Sequence, residues 1–304
     1  MLSISRNVGG LGATVTGVDL SEPLSEGNFT ALFAALGEHS VLRFPAQSLT
    51  PENLRDFSAH FGVLQKGFSD KGPYERGVPE VSILSNIVRD GVPIGIGDAG
   101  QDWHTDMSYN QTVGFTNVLY ALEVPYRDGK VLGDTLFANM YAAYDDLPAE
   151  LKQRLEGLTA THDFNKFWEE MRRRPGSARA PLTPEERAKR PPSVHPIFLT
   201  HPITGRKVLY CNPGYAIRIN ELPEKESDAL LDTLFRHQLQ EKYIHAHHWT
   251  KGDVLMWDHI STLHNAVADY RPHEHRLIKR CQVMADKVFD RDFVQRVLGT
   301  ATTA

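Results

Sequence analysis

The sequence predicts a mainly β fold with helical decoration (α+β), of the sandwich or barrel kind. Three observations predict it. Short segments rich in β-branched and aromatic residues recur along the chain, bounded by glycine, proline and aspartate. The long strand–helix alternation of a doubly wound sheet is missing. Beyond residue 195 strand-like segments dominate, interrupted by one helix.

Taken in order, Val41–Phe44 is the first expected strand. Thr50-Pro51-Glu52 then opens a helix that stops near Phe61-Gly62, with a capping threonine, a proline in the first turn and a terminal glycine. Strands are expected over Val81–Leu84, Phe115–Val124 and Val131–Phe137. Met140–Leu158 is helical, and Pro148 marks a break or a new start. Ile197–Thr200 and Val208–Cys211 form a hairpin around Thr204-Gly205. The spacing of Leu230, Leu231, Leu234 and Phe235 gives a helix from about Pro223 to Gln240. Tyr243–Trp249, Val254–Trp257 and Arg276–Met284 are the last expected strands. The stretch EEMRRRPGSARAPLTPEERAKRPPS over 169–193 reads as a solvated insertion or lid.

Composition excludes several classes. The chain has 304 residues, enough to bury a large core without staples, and its length fits two domains or one large barrel. Its charge of −5 carries no basic footprint, so no nucleic acid is expected as a partner. Two cysteines, Cys211 and Cys281, give no disulfide framework. The opening MLSISRNVGGLGATV lacks a basic region followed by an apolar run, and no apolar stretch approaches the ~20 residues that span a bilayer. A cytoplasmic protein with no membrane partner is the expectation.

The chemistry concentrates in GIGDAGQDWHTDMSY, residues 95–109. Gly95-Ile96-Gly97-Asp98-Ala99-Gly100 matches a dinucleotide fingerprint, yet Pro93 stands where the preceding strand should be and no amphipathic helix follows. A flexible loop beside an active site fits better. His104 and Asp106, two apart, would share one side of a strand, presenting an imidazole and a carboxylate together. That donor pair suits divalent iron. Downstream, His264 is followed by Arg276 and Arg280, whose spacing puts two guanidiniums on one side of a strand. Buried there, each would need an anion; on a solvated face, neither would. The cluster His245, His247 and His248 has no carboxylate near it in sequence and is read as surface or packing.

These elements together resemble the taurine/2,4-dichlorophenoxyacetate dioxygenase (TauD/TfdA) family. The likeness rests on WHTD at 103–106, GDTLFANMYAAYDDL at 133–147, THDFNKF at 161–167, HPIFLTHPITGRKVLYCNPGYAIRI at 195–219 and WDHISTLHNAVADY at 257–270. It spans nearly the whole chain. The resemblance implies one domain over 1–304 with a double-stranded β-helix (jelly roll, cupin-like) core and an insertion or lid around 165–193.

The resemblance also implies roles. His104, Asp106 and His264 would be the Fe(II) ligands, and Thr135 and Arg276 would bind 2-oxoglutarate. Arg280, Phe164 and Met107 would meet a small-molecule substrate, with Arg280 taking its anionic group. The implied reaction hydroxylates that substrate while 2-oxoglutarate becomes succinate and carbon dioxide. A homo-oligomer, dimer or tetramer, is implied too. The chain departs from the taurine enzymes in two places. No histidine follows Phe61-Gly62 in Val63-Leu64-Gln65-Lys66-Gly67, and no asparagine precedes the H-x-D in Asp98-Ala99-Gly100-Gln101. A substrate other than taurine is therefore expected, with Lys66 and Gln101 as replacement contacts. His259, five residues before His264, is read as structural. The rival readings are a non-catalytic jelly-roll binding protein and a zinc hydrolase.

Overall fold

The computed structural model describes residues 1–67, 72–174, 176–177 and 179–299. Its largest element is an eight-stranded sheet. In spatial order the strands are Ser3–Arg6, Ala13–Thr16, Val41–Phe44, Val254–Asp258, Gly114–Glu123, Leu277–Met284, Val78–Ser85 and Tyr74–Glu75. Neighbours are antiparallel except Ala13–Thr16 beside Val41–Phe44. A three-stranded antiparallel sheet orders Ile244–His247, Thr135–Asn139 and Thr262–Ala266. The fold is mostly β with helices.

The large sheet is buried on both faces, and strand alternation shows how. Val254 and Met256, with Val118 and Tyr120 beside them, face a cluster shared with Leu32, Phe33, Leu36, Leu54, Phe57 and Phe61. Those residues come from the helices Glu26–His39 and Pro51–Ala59 and their flanks. The alternate residues Leu255, Trp257, Leu119, Ala121 and Ile278 face the other way and pack with Phe137 and Trp249. Phe137 belongs to the small sheet, and its ring meets Trp257 edge-on at 5.3 Å. The space between the two sheets holds the site.

The expected elements are largely present, with shifted ends. Thr50 and Asn53 form a reciprocal capping box on Pro51–Ala59. Pro148 divides Met140–Asp145 from Ala149–Leu155, because it donates no backbone hydrogen bond. The expected strand over Val131–Phe137 is two pieces, Lys130–Val131 and Thr135–Asn139, with Gly133 at φ 74° between them. The helix Glu26–His39 is absent from the expected elements, although Phe29, Leu32, Phe33 and Leu36 recur at helical spacing behind the Ser25 cap. The insertion carries the helices Phe164–Arg172 and Pro184–Ala188; its Pro175 and Ala178 lie outside the described residues. Cys211 and Cys281 are free and buried. Among the described residues no helix is long and apolar enough to cross a membrane.

Several histidines are enclosed without charge. Burial pushes His162 and His247 down to about 3, and His259 to about 4. In the unfolded chain each takes a proton near 6.5, while in the fold it takes none until far lower pH. The unfolded state therefore gains protons first as pH falls. We expect the unfolding free energy of the metal-free protein to drop between about pH 6.5 and 4, by about 1.4 kcal/mol per pH unit for each such ring. Urea melts across that window check it. A flat profile would mean that these rings already carry charge in the fold.

Candidate metal centre

His104 and Asp106 do not lie on a strand, contrary to the sequence expectation. His104 makes an isolated antiparallel bridge to His264, and Asp106 sits in the turn that follows. The bridge is a matched pair of backbone hydrogen bonds, His104 N–H to His264 C=O at 3.1 Å and the reverse at 2.8 Å. Asp106 opens the turn, and Met107, at φ 64°, continues it. Gly214 permits the approach: a Cβ there would lie 2.6 Å from that of His104.

The three side chains converge, with ligand atoms all within 4.8 Å of one another. His104 Nδ1 lies 2.8 Å from the Asp102 carbonyl and donates its proton there, which leaves Nε2 as an acceptor. That Nε2 is 3.3 Å from Asp106 Oδ1, and His264 Nε2 is 3.9 Å from Oδ2. The two imidazole centroids are 4.2 Å apart. His264 Nδ1 is buried with no hydrogen-bond partner among the described residues. Burial, then the neighbouring His104, holds the His264 pKa well below its ordinary value, so the ring is neutral. Burial pushes the Asp106 carboxyl up, but the contact with His104 and the charge of Arg280 outweigh it and hold the group well below 3.8.

Asp106 is also held from the large sheet. Asn117 and Gln282 are cross-strand partners, and both amides donate to its Oδ2, at 2.7 and 3.2 Å. Arg280 Nη1 stands 3.7 Å away on the same sheet face. Neither amide was a sequence candidate. The signal lies in the register, since Asn117 and Gln282 occupy the site-facing positions of Gly114–Glu123 and Leu277–Met284, and register is invisible before pairing is known.

Beside the three groups lies a cavity lined by Asn117, Thr135, Trp257, His264, Arg276 and Arg280. Thr135 and His264 share a face of the small sheet. Thr135 Oγ1 accepts from Trp249 Nε1 at 3.1 Å, so its own O–H is left to donate. Arg276 is 6% exposed and clamped by its backbone, N–H to Asn86 Oδ1 and C=O from Ser85 Oγ, each at 2.8 Å. No carboxylate pairs with its guanidinium among the described residues. Burial lowers its pKa, and Tyr270 partly offsets that. A buried cation without a counter-charge is a receptor for an anion. The sheet register shifts between Leu277 and Ile278, yet Arg276 and Arg280 still line one cavity.

Met107 and Phe164 lie on an outer side of the centre. Met107 is buried, and its sulfur accepts from Tyr109 Oη at 3.2 Å. The Tyr109 ring packs at a tilt against Phe164, 4.8 Å away, and Tyr215, 4.9 Å away. Phe167 and Tyr215 stand 4.9 and 6.1 Å from the His104 ring, a wall that the sequence reading lacked although both lie in quoted motifs. The two suggested replacement contacts go elsewhere. Lys66 is exposed and pairs with Glu80 at 3.3 Å, and Gln101 accepts from Arg174 at 2.5 Å. Chain folding does supply carboxylates to the histidine cluster: His248 meets Asp134 at 2.8 Å, and His247 lies 3.7 Å from Asp253. The glycine loop continues into turns rather than a helix, which excludes the dinucleotide fingerprint.

The chain is similar to known proteins over nearly its full length. The family model for "Taurine catabolism dioxygenase TauD, TfdA family" matches residues 5–282. Pentalenolactone F synthase of Streptomyces avermitilis is 32% identical over 289 residues, covering 91% of this chain and 92% of the relative. Alpha-ketoglutarate-dependent 2,4-dichlorophenoxyacetate dioxygenase of Cupriavidus pinatubonensis is 31% identical over 285 residues, covering 91% and 95%. The solved structure of AAD-2 in complex with Mn(II) and N-oxalylglycine aligns with a TM-score of 0.76 at 27% identity, over 93% of this chain and 97% of that one.

The amides that hold Asp106 generate a prediction. Asn117→Ala removes the shorter of its two amide hydrogen bonds and leaves the backbone bridge intact. Affinity for a divalent ion should fall about 10–100-fold with little change in melting temperature. Equilibrium titration with Mn(II) measures it, and an unchanged affinity would rule out a supporting role for Asn117.

Proposed function

The chain belongs to the taurine catabolism dioxygenase TauD, TfdA family, and on that premise we propose that His104, Asp106 and His264 hold Fe(II) for oxidation of a small organic acid. The protein is an Fe(II)- and 2-oxoglutarate-dependent dioxygenase. The observation that carries the residue assignment is the adjacency of the His-Asp-His triad to a cavity lined by two arginines. Two imidazoles and one carboxylate are a donor set that divalent iron accepts. The Arg276 guanidinium, buried with no carboxylate partner among the described residues, fits a site shaped for an anion.

When bound, iron and 2-oxoglutarate supply dioxygen activation coupled to decarboxylation of the 2-oxo acid, which yields succinate, carbon dioxide and a hydroxylated substrate. The chain's own residues do the rest. His104 and His264 present Nε2 lone pairs, and Asp106 adds a negative charge. Arg276 offers a planar fork to the distal carboxylate of 2-oxoglutarate, with Thr135 donating beside it. Arg280, next to Asp106, takes the acidic group of the substrate. Met107 and Phe164, with Tyr109, Tyr215 and Phe167, enclose its body and exclude water.

The same reading extends to the architecture. One domain carries a double-stranded β-helix core formed by the opposed large and small sheets. The insertion around 165–193 acts as a lid. Arg174 pairs with Asp102 and Arg179 with Asp98 at 2.8 Å, tying it to the loop that precedes His104. A zinc hydrolase would leave Arg276 and Thr135 without a role, and a non-catalytic binding protein would leave the triad without one.

Anaerobic addition of Fe(II) and 2-oxoglutarate should give a weak visible charge-transfer band, absent in His264→Ala. Arg276→Ala should weaken 2-oxoglutarate binding about 100-fold, the usual loss when one partner of a buried charged pair is removed. Arg280→Ala should keep uncoupled 2-oxoglutarate turnover while losing response to substrate. Equal loss of both functions in Arg280→Ala would move that residue to the co-substrate.

A further inference from the structure

A second cavity opens on the outer side of the centre. It is lined by Gln65, Met107 and Tyr109 from the body of the protein and by Glu186, Lys189 and Arg190 from the insertion. Met107 and Tyr109 follow Asp106 almost directly in sequence, so this cavity borders the metal centre. A run of ring contacts connects the two: His104 to Tyr215 at 6.1 Å, Tyr215 to Tyr109 at 4.9 Å and Tyr109 to Phe164 at 4.8 Å. At its far end the Arg190 guanidinium lies over the Phe164 ring, 4.6 Å from the centroid.

Resting on the function proposed above, we infer that Arg190 is a specificity-determining residue, and that the substrate is an elongated acid with a second anionic group at the lid end. Arg190 has no carboxylate partner among the described residues, whereas Arg172, Arg174 and Arg179 of the same insertion are all paired. Of the charged groups around it, Glu186 is occupied in capping its own helix, where its carboxylate accepts from Thr183 N–H. Lys189 and Arg190 together leave the cavity with more positive than negative charge. Stacking on Phe164 shields one face of the guanidinium and holds its plane, while its edge N–H groups stay available for two oxygens. The body of the molecule would lie along Tyr215, Tyr109 and Phe164, with one acid at Arg280 and the other at Arg190. This arrangement selects for length and for charge at both ends, a selection that Arg280 alone cannot make.

The test uses protein holding Fe(II) and 2-oxoglutarate, without oxygen, titrated calorimetrically with para-carboxyphenoxyacetate and its neutral-ended counterpart para-carbamoylphenoxyacetate. The diacid should bind about 10-fold tighter, as expected for a charge-assisted hydrogen bond in a half-buried place. Arg190→Ala should bring the two affinities within about 2-fold by weakening the diacid alone, and Arg190→Lys should restore part of the preference. The proposal is overturned if Arg190→Ala leaves the ratio unchanged, or if the wild-type protein fails to prefer the diacid or binds neither compound. A persisting charge-transfer band then confines the failure to Arg190, whereas its absence in the wild-type protein sinks the oxygenase site as well.

Discussion

Two backbone hydrogen bonds between His104 and His264 fix everything else at the centre. Thr262–Ala266 is an edge strand of the small sheet, with one row of N–H and C=O groups unpaired by its neighbour. Such an edge is normally a liability. Here the glycine loop covers it: Ala266 N–H donates to Gly100 C=O at 2.8 Å, and His104 exchanges both its bonds with His264. The loop thus acts as a short, irregular extra strand. It carries the H-x-D residues to a histidine far downstream with the register set by main-chain geometry, so neither imidazole depends on a flexible side chain to find its place. Gly214 beneath His104 reflects the same closeness of approach.

This scaffold lets the protein hold charges that are costly elsewhere. Asp106 is buried, and a lone buried carboxylate would neutralise itself. Two amides and Arg280 supply compensation that keeps it ionised. Arg276 meets no carboxylate among the described residues, and Tyr270 offsets its burial only in part. The eight-stranded sheet is packed on one face by helices, and on the other its Trp257 packs with Phe137 and Trp249. Large rigid aromatics next to the cavity keep the two sheets at a fixed spacing while one unpaired cation waits between them.

Much of this was legible in the sequence, for reasons that differ by element. The Pro51–Ala59 helix announced itself through its cap and proline, and Gly114–Glu123 through a long β-branched and aromatic run that only a strand buried on both faces carries. The triad was legible because WHTD and the histidine of WDHISTLHNAVADY occur in long, ordered motifs. What the sequence could not give was how His104 and Asp106 come together. Alternation on a strand was the expected device, and the observed backbone is one bridged residue followed by a turn that begins at Asp106. Asn117, Gln282 and Tyr215 were illegible for a related cause: each acts through cross-strand register or loop packing, and neither leaves a local pattern. Lys66 misled because position in a stretch says nothing about the direction of a side chain, and it points to Glu80 at the surface.

Asp102 joins the insertion to the candidate metal centre. Its carbonyl takes the proton of His104 Nδ1, which sets the tautomer that frees Nε2, while its carboxylate pairs with Arg174 of the insertion. The residue sits at φ 72°, a conformation that non-glycine residues adopt only when their surroundings impose it. The ion pair is half-exposed, and pairs of that kind contribute about 1 kcal/mol or less. Arg179 to Asp98 is similar. The standing contacts therefore tie the insertion to the loop only weakly, on a scale that a single added contact would match. A ligand group meeting Arg190 and the Phe164 face would supply one from inside the cavity. The hold on the insertion would then depend on what occupies the cavity, and the orientation of the His104 imidazole would be coupled to that occupancy through one residue of the loop.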